Sequence, residues 1–461
     1  MGIATSQGTK VLFHTYHFPP IGGSGAQRPL KLVRGLTELG YQPTVVTRGG
    51  TERDERWAPE DATLMAEIPS SVTIRRLAAA GEPAPSARLR PIAERWLGVT
   101  DRWTRWWQTE SIRLGLEAGR DADLIYVWMQ PYASAAAGAA LSRTLGKPWV
   151  ADLGDPWALD EMMVFPSAWH RRLSLRRMGE LLGTAAAIVM STPEAVERLL
   201  RQFPSLANRP IVAIPNGFDA ADFVHEPSPR RDGKFRIVHT GYLHTELGRQ
   251  HQQRRAHRRA LRGSAPGLDI LTRSHVVLVE AINRLIAADP RLGDVLELHL
   301  AGVLNDTDRA VASDTPVTFL RGYMSHADSI RLMQTADLLF LPMQNLPVGV
   351  RATIVPGKTY EYLASGSPIL AAVPDGDARD ILVDAGNALL VRPDDVDGMS
   401  DAIRAELDRA AVGAPRQAPK ADVVARFEYG KLAADLADVF AAVQRPRDGN
   451  GFDRIARKSW S

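Results

Sequence analysis

The chain contains no cysteine in its 461 residues. Disulfides, thiolate zinc centres and a cysteine nucleophile are therefore excluded, and a reducing, cytoplasmic setting is the expectation. No apolar run approaches the ~18 residues of a membrane-spanning helix, and the first residues lack the apolar stretch of a secretory signal. Charge of one sign is missing too: 56 Lys and Arg face 53 Asp and Glu, a net of +3. So small a balance argues against a nucleic-acid binder. With 45% hydrophobic and 24% charged residues the composition is globular. The length exceeds one ordinary core, so two domains are expected.

What is present is a regular alternation. Short apolar runs stand at 10–16, 43–47, 124–128, 148–152, 186–190 and 211–215, then at 235–241, 296–302, 317–321, 338–342, 368–373 and 388–392. Helix-period segments separate them. Uniformly apolar strands between helices predict parallel sheets covered on both faces. Two such series predict two doubly wound α/β domains. The joint falls at "IPNGFD" (214–219), which gives domains of 1–215 and 216–426, with 443–461 a polar, flexible tail. Two segments interrupt the order. Residues 80–107, rich in Pro, Arg and Trp, read as a peripheral helical excursion. Residues 245–271 carry a basic run between a strand and its helix.

Two stretches carry chemistry. "YHFPPIGGSGAQRP" (16–29) leaves a strand through two prolines and spends three glycines in four residues before a helix begins. Bare N–H groups and a helix start suit an anion, and Gly22, Gly23 and Gly25 let a ligand approach where a Cβ would collide. A tight turn needing positive φ explains the loop equally well. In "VPGKTYEYLASGSPILA" (355–371), Lys358 and Glu361 lie three apart on the first turn of a short helix. A cation there suits a diphosphate, and a carboxylate can accept hydrogen bonds from vicinal ribose hydroxyls. An ordinary surface ion pair is the plainer explanation.

These residues and others resemble a family 4 glycosyltransferase of the GT-B fold, in which two Rossmann-like doubly wound domains face each other across a cleft. The resemblance rests on residues 18–47, on "GKPWVADLGDPW" (146–157), on "IPNGFDAADF" (214–223), on "HTGYLH" (239–244), on 355–371 and on "FEYGKLAADLADVF" (427–440). It implies a first, acceptor-side domain, a second domain that binds the nucleotide sugar, and a closing helix at 427–442 that returns to the first. Gly22, Gly23, Asn216, Gly241, Thr359 and Glu361 are then expected to bind the donor, Glu361 through its ribose. Lys358 and Arg273 would neutralise the diphosphate, with Arg249 competing for the arginine's place. The family often has a Glu eight residues before the ribose-binding one, where this chain has Thr353. It also often has a histidine after the third strand, where this chain reads "MQPYASA".

The implied reaction moves a sugar from a nucleoside diphosphate sugar to an acceptor hydroxyl with retention of configuration, with no required cofactor or metal. Asp155 is the candidate to orient or deprotonate the acceptor, and His17, Arg28 and Tyr132 are further acceptor-side candidates. The acceptor could be a small molecule, a glycan or a lipid-linked sugar. Six arginines and two histidines within 249–262, helped by the Trp-rich 96–107, could touch the inner face of a membrane; a solvated loop is the commoner meaning of such a run. Two other functions fit the same scaffold: a nucleotide-sugar epimerase, or a degenerate accessory subunit.

Overall fold

Each of the twelve apolar runs forms a strand. The computed structural model describes residues 8–49, 60–78, 82–83, 100–225, 227, 230–254 and 260–445. One unit comprises residues 1–216 and 429–461, the other 217–428.

The first unit holds β1 (Lys10–His14), β2 (Gln42–Thr47), β3 (Thr73–Arg76), β4 (Leu124–Trp128), β5 (Trp149–Leu153), β6 (Ala187–Met190) and β7 (Ile211–Ala213). They form one sheet in the order β3-β2-β1-β4-β5-β6-β7. Every pairing is parallel, with Phe13 opposite both Val45 and Tyr126. β3 is the strand that the apolar pattern did not announce. Its residues, "TIRR", alternate between exposed and half-buried at the sheet edge, so it never reads as a uniformly apolar run.

Both faces of this sheet are buried. On one, Val11 and Phe13 pack with Leu30 and Leu36 from the helix Ser24–Glu38, and with Leu432, Leu436 and Phe440 from the helix Tyr429–Gln444. Gly35 is the point of closest approach, since a Cβ there would lie 2.5 Å from that of Ala433. On the other face Leu12, Ile125, Val127 and Trp149 share a second cluster.

The second unit repeats the scheme with β8 (Phe235–Thr240), β9 (Leu296–Ala301), β10 (Thr318–Gly322), β11 (Leu338–Pro342), β12 (Ile369–Ala372) and β13 (Ala388–Val391), ordered β10-β9-β8-β11-β12-β13. In each sheet the strand order reverses once, between β1 and β4 and between β8 and β11. Open α/β sheets bind ligands at the carboxyl ends of the strands beside such a reversal.

The interrupting segments are described in part. The helix Arg102–Ala118 starts at Asp101, whose carboxylate accepts the Thr104 N–H at 2.8 Å. Trp107 is wholly buried, its indole N–H donating to Ser134 Oγ at 3.0 Å and its ring packing on Tyr16. An interfacial role for this tryptophan is thereby corrected: it belongs to the core. Trp96 lies outside the described residues.

The basic run begins as the helix Thr245–Gln253, docked where Gly248 meets the backbone of Leu271. Residues 255–259 lie outside the described residues, and with them the centre of the expected membrane contact. The segment 443–461 is helical through Gln444, and 446–461 lie outside the described residues. Among the described residues no helix is long and apolar enough to cross a membrane.

Candidate active site

The carboxyl end of β8 leads directly into Gly241 at φ +95°. Its N–H donates to the Ala301 carbonyl at 2.7 Å, which ties the loop to the end of β9. Behind it sits Gly302 at φ +145°, where a Cβ would fall 2.5 Å from the Gly241 oxygen. Neither the conformation nor the space admits a side chain. Gly302→Ala is expected to cost about 1–3 kcal/mol through this strain, read as a lowered melting temperature, and to displace the Gly241 loop.

Lys358 opens the helix Lys358–Ala364, and its Nζ lies 3.0 Å from His239 Nε2. A Cβ on Gly241 would come within 3.3 Å of the same Nζ. The amine is thus seated over a residue that has no side chain to obstruct it. Burial, abetted by the neighbouring Arg273 and opposed by Glu361, lowers Lys358 from its ordinary 10.5 to about 7.

Arg273 is held by Gln344, whose Oε1 accepts from its Nη1 at 3.3 Å. Of the two competing arginines, Arg273 is the one beside Lys358. Arg249 is exposed on the helix Thr245–Gln253, where its charge acts on His275. From the same helix as Lys358, Tyr362 reaches back under β8, its hydroxyl accepting the Thr240 N–H at 3.0 Å. Glu361 is half-buried, with Oε1 3.9 Å from His326 Nδ1. The other ring nitrogen of His326 lies 3.0 Å from Asp222.

Thr359, expected among the donor-binding residues, is wholly buried. Its Oγ1 is buried without a hydrogen-bond partner among the described residues. Thr353 is also wholly buried, on the segment whose Ala352 N–H donates to the Asp375 carbonyl at 2.8 Å. Asp375 and Asp377 form an Asp-x-Asp just past β12. Asp375 accepts the Gly349 N–H at 2.9 Å, and Asp377 pairs with Arg351 at 3.1 Å. These carboxylates hold the loop before Lys358.

The first unit gathers a second group at its own strand reversal. His17 follows β1, Gln130 and Tyr132 follow β4, and Asp155 follows β5. Gln130 Nε2 donates to Asp155 Oδ2 at 3.2 Å. Tyr132 stacks on Trp157 with ring centres 5.3 Å apart, and its hydroxyl donates to the Asp155 carbonyl at 3.4 Å. Trp157 itself sits at φ +50°, a strained backbone held by its own N–H to the Asp155 carbonyl at 2.8 Å.

His17 faces the glycine loop: a Cβ on Gly25 would lie 3.2 Å from its ring and 3.5 Å from Gln130 Oε1. Burial and then the Arg48 charge lower His17 to about 4, which keeps it neutral at ordinary pH. Gly23, at φ +79°, caps the helix Ser24–Glu38 without a side-chain partner, and Gly22 is buried beside it. Asn216 is half-buried as the last residue before the second unit begins.

Arg28 requires a correction. It is 1% exposed rather than open to an acceptor, and pairs with Asp152 at 2.9 Å. It also donates to the carbonyls of Ile214, at 3.0 Å, and Pro215. Asp152 accepts the Tyr126 hydroxyl at 2.5 Å as well. Burial, the largest single influence, opposes the Arg28 charge, but Asp152 together with Tyr126 and Tyr429 outweighs it and the guanidinium stays protonated. Arg28 ties β5 to the chain leaving β7; it is internal scaffolding. The sequence reading also missed His239 and His326. A signal for the first was present: an ionisable residue after Ile237 and Val238, near the carboxyl end of a parallel strand.

Two doubly wound units, with these clusters at the strand reversals, define the GT-B glycosyltransferase fold. Residues 23–217 match the glycosyl transferase 4-like domain and residues 271–409 the glycosyl transferases group 1 domain, and the chain belongs to the glycosyltransferases that combine the two. Its fold is similar to that of Anabaena HepE, crystallised with UDP and glucose, at 15% identity and a TM-score of 0.59 over 94% of this chain and 100% of that one. Sucrose-phosphate synthase from Thermosynechococcus elongatus is similar at 14% identity and a TM-score of 0.63, over 94% and 99% of the two chains. The UDP-GlcNAc 2-epimerase of Methanocaldococcus jannaschii is more distant, at 12% identity and a TM-score of 0.52, over 95% and 100%. No curated protein sequence matches the chain.

Proposed function

We propose that this protein transfers a sugar from a nucleoside diphosphate sugar to an acceptor hydroxyl, with the anomeric configuration retained. The observation that carries this is the convergence of Lys358 and Arg273 at the strand reversal of the second sheet, with Glu361 one turn further along the same helix as Lys358. Two cations answer a diphosphate, and a carboxylate answers ribose hydroxyls.

As the bond from the anomeric carbon to the diphosphate oxygen breaks, its electron pair stays on the diphosphate. Lys358 and Arg273 stabilise that growing charge, so no metal ion is required for the step. The acceptor oxygen bonds to the same face of the anomeric carbon, and its proton passes to the departing phosphate. A histidine base is then unnecessary, which suits a first unit whose His17 is neutral and whose Gln130 and Asp155 are hydrogen-bonded to each other. Gln130, Asp155 and His17 are assigned to orienting the acceptor. UDP is the first nucleotide to test, since HepE was crystallised with it.

Melting the protein with UDP, GDP, dTDP and ADP sugars tests the donor half. At a hundredfold excess over Kd, the true donor is expected to stabilise the second unit by about 2.7 kcal/mol. No shift with any of the four would refute the proposal. Turnover that requires an added acceptor separates transfer from epimerisation, which isotope exchange at the sugar would reveal without one.

Binding should also follow pH in a defined direction. Free Lys358 titrates near pH 7. A bound diphosphate favours the charged amine, so above that pH binding must take up a proton. Affinity is expected to hold up to about pH 7 and then fall, by up to about tenfold per unit. Calorimetry at pH 8 in two buffers of unlike ionisation enthalpy should show the uptake; identical heats would mean that Lys358 does not titrate there.

A further inference from the structure

We propose that His239 is the positioning residue for Lys358: a neutral imidazole, locked across the strand reversal, that holds the ammonium where the donor diphosphate arrives. This deepens the functional proposal and rests on its assignment of Lys358 to the diphosphate.

His239 is the penultimate residue of β8 and only 1% exposed, next to the buried Ile237 and Val238. Its Nδ1 lies 3.0 Å from the Phe340 carbonyl on the neighbouring strand β11. A carbonyl only accepts, so Nδ1 carries the proton and the one lone pair of the ring is on Nε2. That lone pair faces Lys358 Nζ at 3.0 Å. The tautomer is therefore set by one strand and used by the helix that follows another.

The surroundings explain why a histidine suits this place. Lys358 is faced by Arg273 from the loop before the helix Val276–Ala288 and by Glu361 from its own helix, while His275 acts on His239 from behind. Burial, with Lys358 adding to it, keeps His239 well below its ordinary titration range, so it stays neutral. A carboxylate here would cancel the charge that an anionic ligand needs. An apolar side chain would leave the ammonium free to turn towards Glu361. A neutral acceptor attracts and aims the cation without discharging it. An ammonium has three donors, so it can keep His239 and still reach phosphate oxygens.

Two substitutions separate the two nitrogens. His239→Asn retains a donor for Phe340 but no acceptor for Lys358; His239→Gln can present its amide oxygen near the position of Nε2. With melting curves confirming folding, the Kd for UDP, or whichever of GDP, ADP and dTDP binds the parent protein, should rise about tenfold in His239→Asn and return to within about twofold in His239→Gln. Unchanged binding in the Asn variant, or equal weakness in both, would overturn the proposal.

A nucleotide-free readout accompanies this: acetylation of Lys358 by acetic anhydride across pH, followed by peptide mass spectrometry. Its midpoint should move down by about one pH unit in the Asn variant and stay in place in the Gln variant, because the hydrogen bond favours the charged amine. An unmoved midpoint in the Asn variant would also overturn it. Should none of the four nucleotides bind the parent protein, the diphosphate assignment fails, while the labelling still decides whether His239 holds Lys358.

Discussion

Alanine at position 358 is expected to lower the turnover of a nucleotide sugar about a hundredfold. At an effective dielectric near 20, a cation ~4 Å from a growing unit charge is worth on the order of 4 kcal/mol. Donors directed at developing charge typically measure ~3 kcal/mol, and each 1.36 kcal/mol is about tenfold in rate. The charge increases as the anomeric bond breaks, so the loss should fall on kcat more than on KM. Arg273→Ala acts on the same leaving group and should cost a similar factor. Because the two guard one charge, their effects should not add. Steady-state rates over a range of donor concentrations provide the measurement. Near-normal turnover in both variants would remove the assigned site.

The largest effect on stability is expected at Arg28. Arg28→Met would strand Asp152 in the core of the first unit, with the Tyr126 hydroxyl as its remaining side-chain partner among those described above. Removing one member of a buried ion pair typically costs about 3–5 kcal/mol, because the other charge stays buried without compensation. Pairing it with Asp152→Leu should recover much of that loss, since apolar replacement of both partners is often neutral. The chain supplies its own probe for the first unit: none of the ten tryptophans falls within residues 217–428. Denaturant unfolding followed by their fluorescence therefore reports that unit alone. A loss below about 1 kcal/mol in the single variant would show that water or the backbone satisfies Asp152 instead.

The contrast between Arg28 and Lys358 shows what the sequence could convey. Apolar strands alternating with helices fix the sheet content through local pattern, which is why twelve strands were legible and the amphipathic edge strand Thr73–Arg76 was not. Lys358 and Glu361 were legible because three-residue spacing on a helix dictates a shared face. Arg28 looked similar, a cation after a glycine loop, but its partners Asp152, Ile214 and Pro215 lie more than a hundred positions away. Sequence spacing says nothing about such contacts. His239 was missed for the same reason: its meaning depends on Phe340 and Lys358, each about a hundred residues on.

The helix Tyr429–Gln444 has a consequence for how the molecule is made. It completes a hydrophobic face begun by Val11, Phe13 and Leu36, yet the ribosome produces the whole of residues 217–428 in between. The earlier half must therefore wait, with apolar surface uncovered, while the inserted half emerges. That inserted half has no such delay, because its two ends already meet where the Phe218 N–H donates to the Phe427 carbonyl at 3.0 Å. The later-synthesised segment is thus positioned to mature first, while the apolar face of the amino-terminal part stays uncovered until the helix Tyr429–Gln444 is made.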